Sequence, residues 1–177
     1  MARIPYADID SLSEPLRELV TSRRPLNIYR MLAHGGPAAE GFLALGSALL
    51  RENSLDTQWR ELVIVRVGIL CRADYEVHQH TRIALQVGVT QDKIDALYDG
   101  PDAAIFSPQE RTLLRYTDTI VLNVKAGESA FRSIEALLPP NQLVELHLLI
   151  GFYMMVSRFL ENFEVDLEQE EIPLTGY

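Results

Sequence analysis

One cysteine, Cys71, in 177 residues excludes an intramolecular disulfide framework, a cysteine-only metal site and a two-thiol redox cycle within one chain. Basic charge is also scarce. Sixteen Lys and Arg face 25 Asp and Glu, a formal net charge of −9, which repels phosphate backbones and anionic lipid. A nucleic-acid partner or a membrane-surface role is therefore not expected. Six of the acidic residues (Glu161, Glu164, Asp166, Glu168, Glu170, Glu171) crowd into Glu161–Tyr177, where there is no Lys or Arg. The longest apolar stretch near the end, Leu148–Val156, is far short of the ~20 residues that span a bilayer. Met1–Tyr6 lacks a basic segment followed by an apolar one, so no signal peptide and a cytoplasmic location are expected. Low-complexity segments and repeats of fixed period are missing as well.

What remains is an ordinary globular balance of 47% hydrophobic and 23% charged residues. A chain of this length buries roughly 70% of its unfolded surface, enough for a core without staples. One domain over residues 1–177 is expected, with a core at 27–167 and an acidic C-terminal tail at 164–177. Helical signals dominate. Ser13-Glu-Pro opens a short helix that stops near Arg24-Pro25, and Asn27–Ala33 forms a second, ended by Gly35-Gly36. Pro37 suits the first position of a helix over Ala38–Arg51, and Asp56 caps one over Thr57–Leu70. Asp74 caps Tyr75–Val87, with Gly88 as its stop. Thr90 starts a helix to Tyr98, and Ser107-Pro-Gln-Glu110 is a capping box opening Pro108–Asn123. A helix from Gly127 to Leu138 is broken by Pro139-Pro140, and Asn141 begins the longest, to about Leu167. The fold class is all-α.

The helix over Thr57–Leu70 is apolar in every direction, so it is a buried helix, yet Glu61 and Arg66 lie within it. A buried carboxylate is paired or protonated. A structural ion pair with an arginine of a neighbouring helix and a functional acid are the two readings of Glu61. Next comes Cys71-Arg-Ala-Asp74-Tyr75-Glu76-Val77-His78-Gln79-His80. At 100° per residue His80 falls in the middle of the apolar face defined by Ala73, Val77, Ile83, Ala84 and Val87, with Glu76 beside it. His78 falls on the other side. A lone histidine on an apolar face is usually a core residue. Two carboxylates in reach, Glu76 and Glu61, would instead fix its tautomer and raise its basicity. One nitrogen and two carboxylates are too few for a metal, so acid–base chemistry ranks above metal binding. On the last helix His147, Gly151, Met154, Arg158 and Asn162 share a stripe about 80° wide, best read as a helix–helix contact, with Gly151 permitting close approach.

Glu61, the Asp74–His80 cluster and Gly88 together resemble the carboxymuconolactone decarboxylase family, which includes the alkylhydroperoxidase D group. Arg60-Glu61-Leu62, then Tyr75-Glu76 with His80, then Ala84 and Gly88-Val89 carry the resemblance, with Leu32-Ala-His-Gly-Gly-Pro37 and Phe42 as its lead-in. Glu110–Tyr116 and Gln142–Tyr153 resemble the extension of its longer single-chain members, so the likeness runs from about Asn27 to Leu167. It implies an alkylhydroperoxidase D-like helical bundle with two antiparallel central helices, assembling as a homo-oligomer: a dimer, trimer or hexamer. The redox branch carries Cys-x-x-Cys-x-x-x-His and an upstream Glu. Against it Cys71 matches the first cysteine, His78 the histidine and Glu61 the glutamate, while Asp74 replaces the second cysteine. Without that thiol the peroxidase cycle needs an outside thiol. The decarboxylase branch lacks the cysteines, keeps a histidine matching His80, and acts without a cofactor on a small lactone bearing carboxylates. There Arg66, Arg72 or Arg158, with His147, would hold a carboxylate.

The leading expectation is thus a cofactor-independent lyase or isomerase on a small carboxylated or lactone metabolite. His80 is its acid–base group, oriented by Glu76 or Glu61. A peroxidase-like oxidoreductase using Cys71 and His78 is the second reading. A non-catalytic helical oligomer that binds a small ligand is the third. Cys71 ends a helix, where the dipole disfavours a thiolate. Arg72 and a protonated His78 offset this and Asp74 opposes them, so an ordinary or raised thiol pKa is expected.

Overall fold

The computed structural model describes residues 1–22, 26–169 and 172–173. The expected stop at Arg24-Pro25 and the acidic residues Glu170 and Glu171 lie outside them. Nine α-helices and no strand occur among the described residues: α1 Glu14–Thr21, α2 Asn27–Leu32, α3 Pro37–Ser47, α4 Thr57–Cys71, α5 Asp74–Gln86, α6 Gln91–Asp99, α7 Pro108–Leu122, α8 Glu128–Glu135 and α9 Pro140–Phe163. The chain folds as two compact units, one of Met1–Glu52 with Phe159–Tyr177, the other of Asn53–Arg158. The all-α reading holds.

The second unit is built around α4. Asp56 Oδ1 accepts from the backbone N–H of Gln58 (2.9 Å) and Trp59 (3.0 Å) and so starts the helix. From Arg60 to Gly68 every residue is buried, as a helix apolar on all sides requires. Leu62 and Val65 enter a core with Ala84 of α5, Val89, Ile94 and Leu97 of α6, Phe106, and Leu114 of α7. Arg72 turns the chain with a left-handed φ of 57°, and the Ala73 N–H closes on the Gly68 carbonyl at 2.9 Å. That tight turn makes α4 and α5 an antiparallel pair, with Gln58 Nε2 donating to the Val87 carbonyl at the far end. At Gly68 the helices nearly touch: a Cβ there would lie 3.0 Å from Val77 Cγ2. Gly88 ends α5 at φ 95°, a conformation that favours glycine.

Several boundaries differ from expectation. Ala73, not Asp74, is the N-cap of α5, and Asp74 is its first residue. The helix over 38–51 ends at Ser47 and continues as a π turn over Ala48–Glu52. Proline at 140 opens α9 instead of breaking the chain ahead of it, since its missing N–H costs nothing at the first position. The helix then stops at Phe163, short of Leu167, because Glu164 takes a φ of 48°. The following segment is held in the first unit. Asp166 accepts from the Ala2 N–H (2.9 Å) and the Tyr6 hydroxyl (3.1 Å), Glu164 pairs with Arg3, and Glu168 caps the Asn27 N–H at 2.7 Å. The described part of the acidic tail is therefore docked. By length and composition alone α9 could cross a membrane, but Leu146, Leu149, Ile150, Tyr153 and Val156 are buried as a packing face.

Candidate functional site

Five side chains of the second unit, Arg60, Glu61, Glu76, His80 and Tyr153, meet between α4, α5 and α9. Glu61, wholly inaccessible, accepts from Arg60 Nε at 2.9 Å on Oε1 and from His80 Nδ1 at 2.7 Å on Oε2. Its cationic partner is its own chain neighbour, not an arginine of another helix. Adjacent helical residues diverge at the backbone, so this contact depends on the length of the Arg60 side chain. With Nδ1–H donated to Glu61, the lone pair of a neutral His80 ring resides on Nε2. Nε2 looks toward Glu76 Oε2, 3.6 Å away. Tyr153 of α9 sets its ring edge-on to the imidazole, with centroids 4.9 Å apart at 88°. The carboxylate–imidazole arrangement fixes one tautomer and leaves the opposite nitrogen for proton transfer.

Glu76 is the unsatisfied member. It is buried, and its Oε2 has no hydrogen-bond partner among the described residues. Burial raises its pKa, with His80 pulling down and Glu61 pushing up. Gly68, which periodicity does not single out, lets α5 come close enough to place Glu76: a Cβ on it would also lie 3.4 Å from Glu76 Cβ. No cluster of three or more His, Cys, Asp or Glu able to hold a metal occurs among the described residues.

The remaining expected residues lie elsewhere. His78 is exposed, on the face of α5 away from His80. Arg66 is clamped by Asp118 of α7 through Nε (2.8 Å) and Nη2 (2.6 Å) and by the Leu97 carbonyl. Its fork is thus taken up by the protein. Arg72 is exposed at the α4–α5 turn. Arg158 is exposed on α9 and donates to the Met154 carbonyl at 2.8 Å. His147 donates Nδ1–H to the Leu143 carbonyl and accepts the Tyr116 hydroxyl on Nε2 at 2.7 Å, tying α9 to α7. The expected close approach at Gly151 is not made within the chain, since nothing lies within 4 Å of where its Cβ would be.

Cys71 is half-buried at the end of α4. Its neighbours are Ser157 and Arg158 of α9, where Arg72 and His78 were expected. Burial pushes the thiol up, and the Arg158 charge and the Ser157 hydroxyl only partly oppose it. Alkylation by iodoacetamide, followed against pH, is expected to show a midpoint above the free-cysteine reference near 8.5. A midpoint below about 7 is the result that contradicts this.

His80, and not His78, partners Glu61. His78, the histidine matched through Cys71, makes no such contact and is exposed.

Residues 36–119 match the carboxymuconolactone decarboxylase family model. The chain is 22% identical over 103 residues to an uncharacterized protein, YdfG, of Bacillus subtilis (strain 168), covering 57% of this chain and 70% of that protein. Among solved structures, an uncharacterized peroxidase-related protein from Ralstonia eutropha JMP134, described as an alkylhydroperoxidase AhpD core, superposes with a TM-score of 0.84 at 16% identity over 95% of this chain and 93% of that one. A peroxidase-related protein from Silicibacter sp. TM1040 gives 0.81 at 15% identity, over 94% and 91% of the two chains. A debrominase in complex with 2,3,4-tribromopyrrole gives 0.72 at 16%, over 88% and 85%. The structural likenesses establish an AhpD-like helical fold, and the match to the carboxymuconolactone decarboxylase family model covers just under half of the chain.

Proposed function

We propose that this protein is a cofactor-independent lyase or isomerase of the cytoplasm that acts on a small carboxylated or lactone metabolite. His80 is the acid–base group and Glu61 its orienting partner. The observation that carries this reading is the 2.7 Å bond from His80 Nδ1 to a carboxylate already held by Arg60, which leaves Nε2 as the working nitrogen. The peroxidase-like reading ranks lower: its thiol is pushed up by burial, and its histidine, His78, is exposed. A binding role without catalysis is the remaining alternative.

Turnover of a small unsaturated γ-lactone is expected to fall by about 10²–10⁴-fold in His80→Gln and to survive Cys71→Ser. Thiol-dependent peroxide turnover abolished by Cys71→Ser would instead favour the redox reading. A loss of stability in His80→Ala with no reaction to lose would favour the binding role.

The working form in this reading is a homo-oligomer. On α9, Val144, Leu148 and Met155 are exposed along one face, with the open Gly151 between them. Light scattering at micromolar concentration is expected to give a multiple of the 20.0 kDa chain mass. A mass of one chain rejects the assembly.

A further inference from the structure

The unpartnered oxygen of Glu76 has no role in orienting His80, because Glu61 already holds the ring through Nδ1. Resting on the reading of His80 as the acid–base group, we propose that Glu76 is a resident carboxylic acid that works beside His80 Nε2, and that the pair acts on an uncharged carbonyl compound, a lactone or ketone with an acidic C–H next to the carbonyl.

Geometry and charge both support this. Glu76 Oε2 and His80 Nε2 are 3.6 Å apart, too long for a direct hydrogen bond and suited to two neighbouring atoms of one ligand. The α-carbon and oxygen of a carbonyl unit are about 2.4 Å apart by standard bond lengths. An acid can therefore meet the oxygen while a base meets the C–H. Around the pair, the charge of Arg60 is matched by that of Glu61, and Tyr153 presents a neutral ring. With Glu76 protonated and the imidazole uncharged, the cluster carries no net charge. A carboxylate seated there would add an uncompensated negative charge beside Glu61 in a buried site. The direction in which burial moves Glu76 agrees with the acid form.

The step balances without an external reagent. His80 Nε2 takes the proton from carbon, the C–H pair becomes the C=C bond of an enol, and the carbonyl π pair captures the Glu76 proton as O–H. An imidazolium and a carboxylate now face each other, and the cluster is still neutral. The imidazolium then delivers its proton to a different carbon while the enol O–H returns its proton to Glu76, which restores both groups and leaves an isomer. Nothing is oxidised or reduced.

Two measurements decide it. In protein labelled with carbon-13 at glutamate carboxyls, one signal at the protonated position near neutral pH is expected, and Glu76→Gln should remove it. Glu76 ionised under those conditions overturns the proposal whatever the substrate. As probes, a neutral β,γ-unsaturated γ-lactone and the same ring bearing an acetate arm are incubated in deuterated water, and deuterium uptake and double-bond migration are followed. The neutral probe is expected to react, with a loss of about 10²–10⁴-fold in Glu76→Gln of unchanged helical content. Turnover of the acetate-bearing probe alone, unaffected by Glu76→Gln and abolished by His80→Gln, sinks this inference and leaves the parent reading standing. No reaction of either probe overturns both.

Discussion

Glu61→Ala is expected to lower stability by about 3–5 kcal/mol, the usual cost of removing one partner from a buried ion pair. Glu61 is wholly inaccessible and holds Arg60 on one oxygen and His80 on the other. Its removal takes a carboxylate from a guanidinium that is itself almost completely buried and takes from the imidazole the acceptor of its Nδ1–H. Glu61→Gln keeps the shape and one acceptor, so a smaller loss is expected, about 1–3 kcal/mol. Urea unfolding of the two variants measures both. A loss under about 1 kcal/mol in Glu61→Ala would show that the cluster is relaxed by water and that His80 is not firmly held. The same variant tests site and fold together, because the bond that orients the imidazole also joins α4 to α5.

The second large effect concerns Arg66→Ala. Arg66 binds Asp118 with two parallel hydrogen bonds and the Leu97 carbonyl with a third, so one side chain joins α4, α6 and α7. Its loss leaves the Asp118 carboxylate and a buried carbonyl without their donor. The side chain of Asp118 is 17% exposed, so water recovers part of the penalty, and about 3 kcal/mol is expected, the lower end for such a pair. Asp118→Ala should cost a similar amount, and the double variant less than the sum, as for any directly bonded pair. Additive losses would mean that the two side chains act independently. Since Arg66 is held by the protein, no specific change in catalysis beyond the loss of folded protein is expected.

The helices themselves were legible in the chain because their signals are local. The capping box Ser107–Glu110, the cap at Asp56 and the stop at Gly88 each rest on chemistry within a few residues. The burial of α4 and the inward face of His80 follow from apolar residues repeating at the helical period. That Glu61 and His80 belong to buried faces is therefore readable from the chain itself.

Which groups meet was another matter. Nothing local announces that Arg60 folds onto its neighbour, that Arg66 meets Asp118 fifty-two positions away, or that Tyr116 donates to His147. The choice of His80 over His78 was readable from periodicity, yet matching the cysteine pattern through Cys71 pointed to His78. Only packing decided between them, by turning one histidine toward Glu61 and the other to solvent. The surroundings of Cys71 followed from where α9 lies, and the docking of Glu164–Glu168 from the position of the N-terminal segment. Sequence alone thus determined the helical class, most helix ends and the buried faces, since periods and caps are encoded within a turn or two. The tertiary structure decided the partners of each charge, because those depend on which faces pack together, an outcome summed over the whole core.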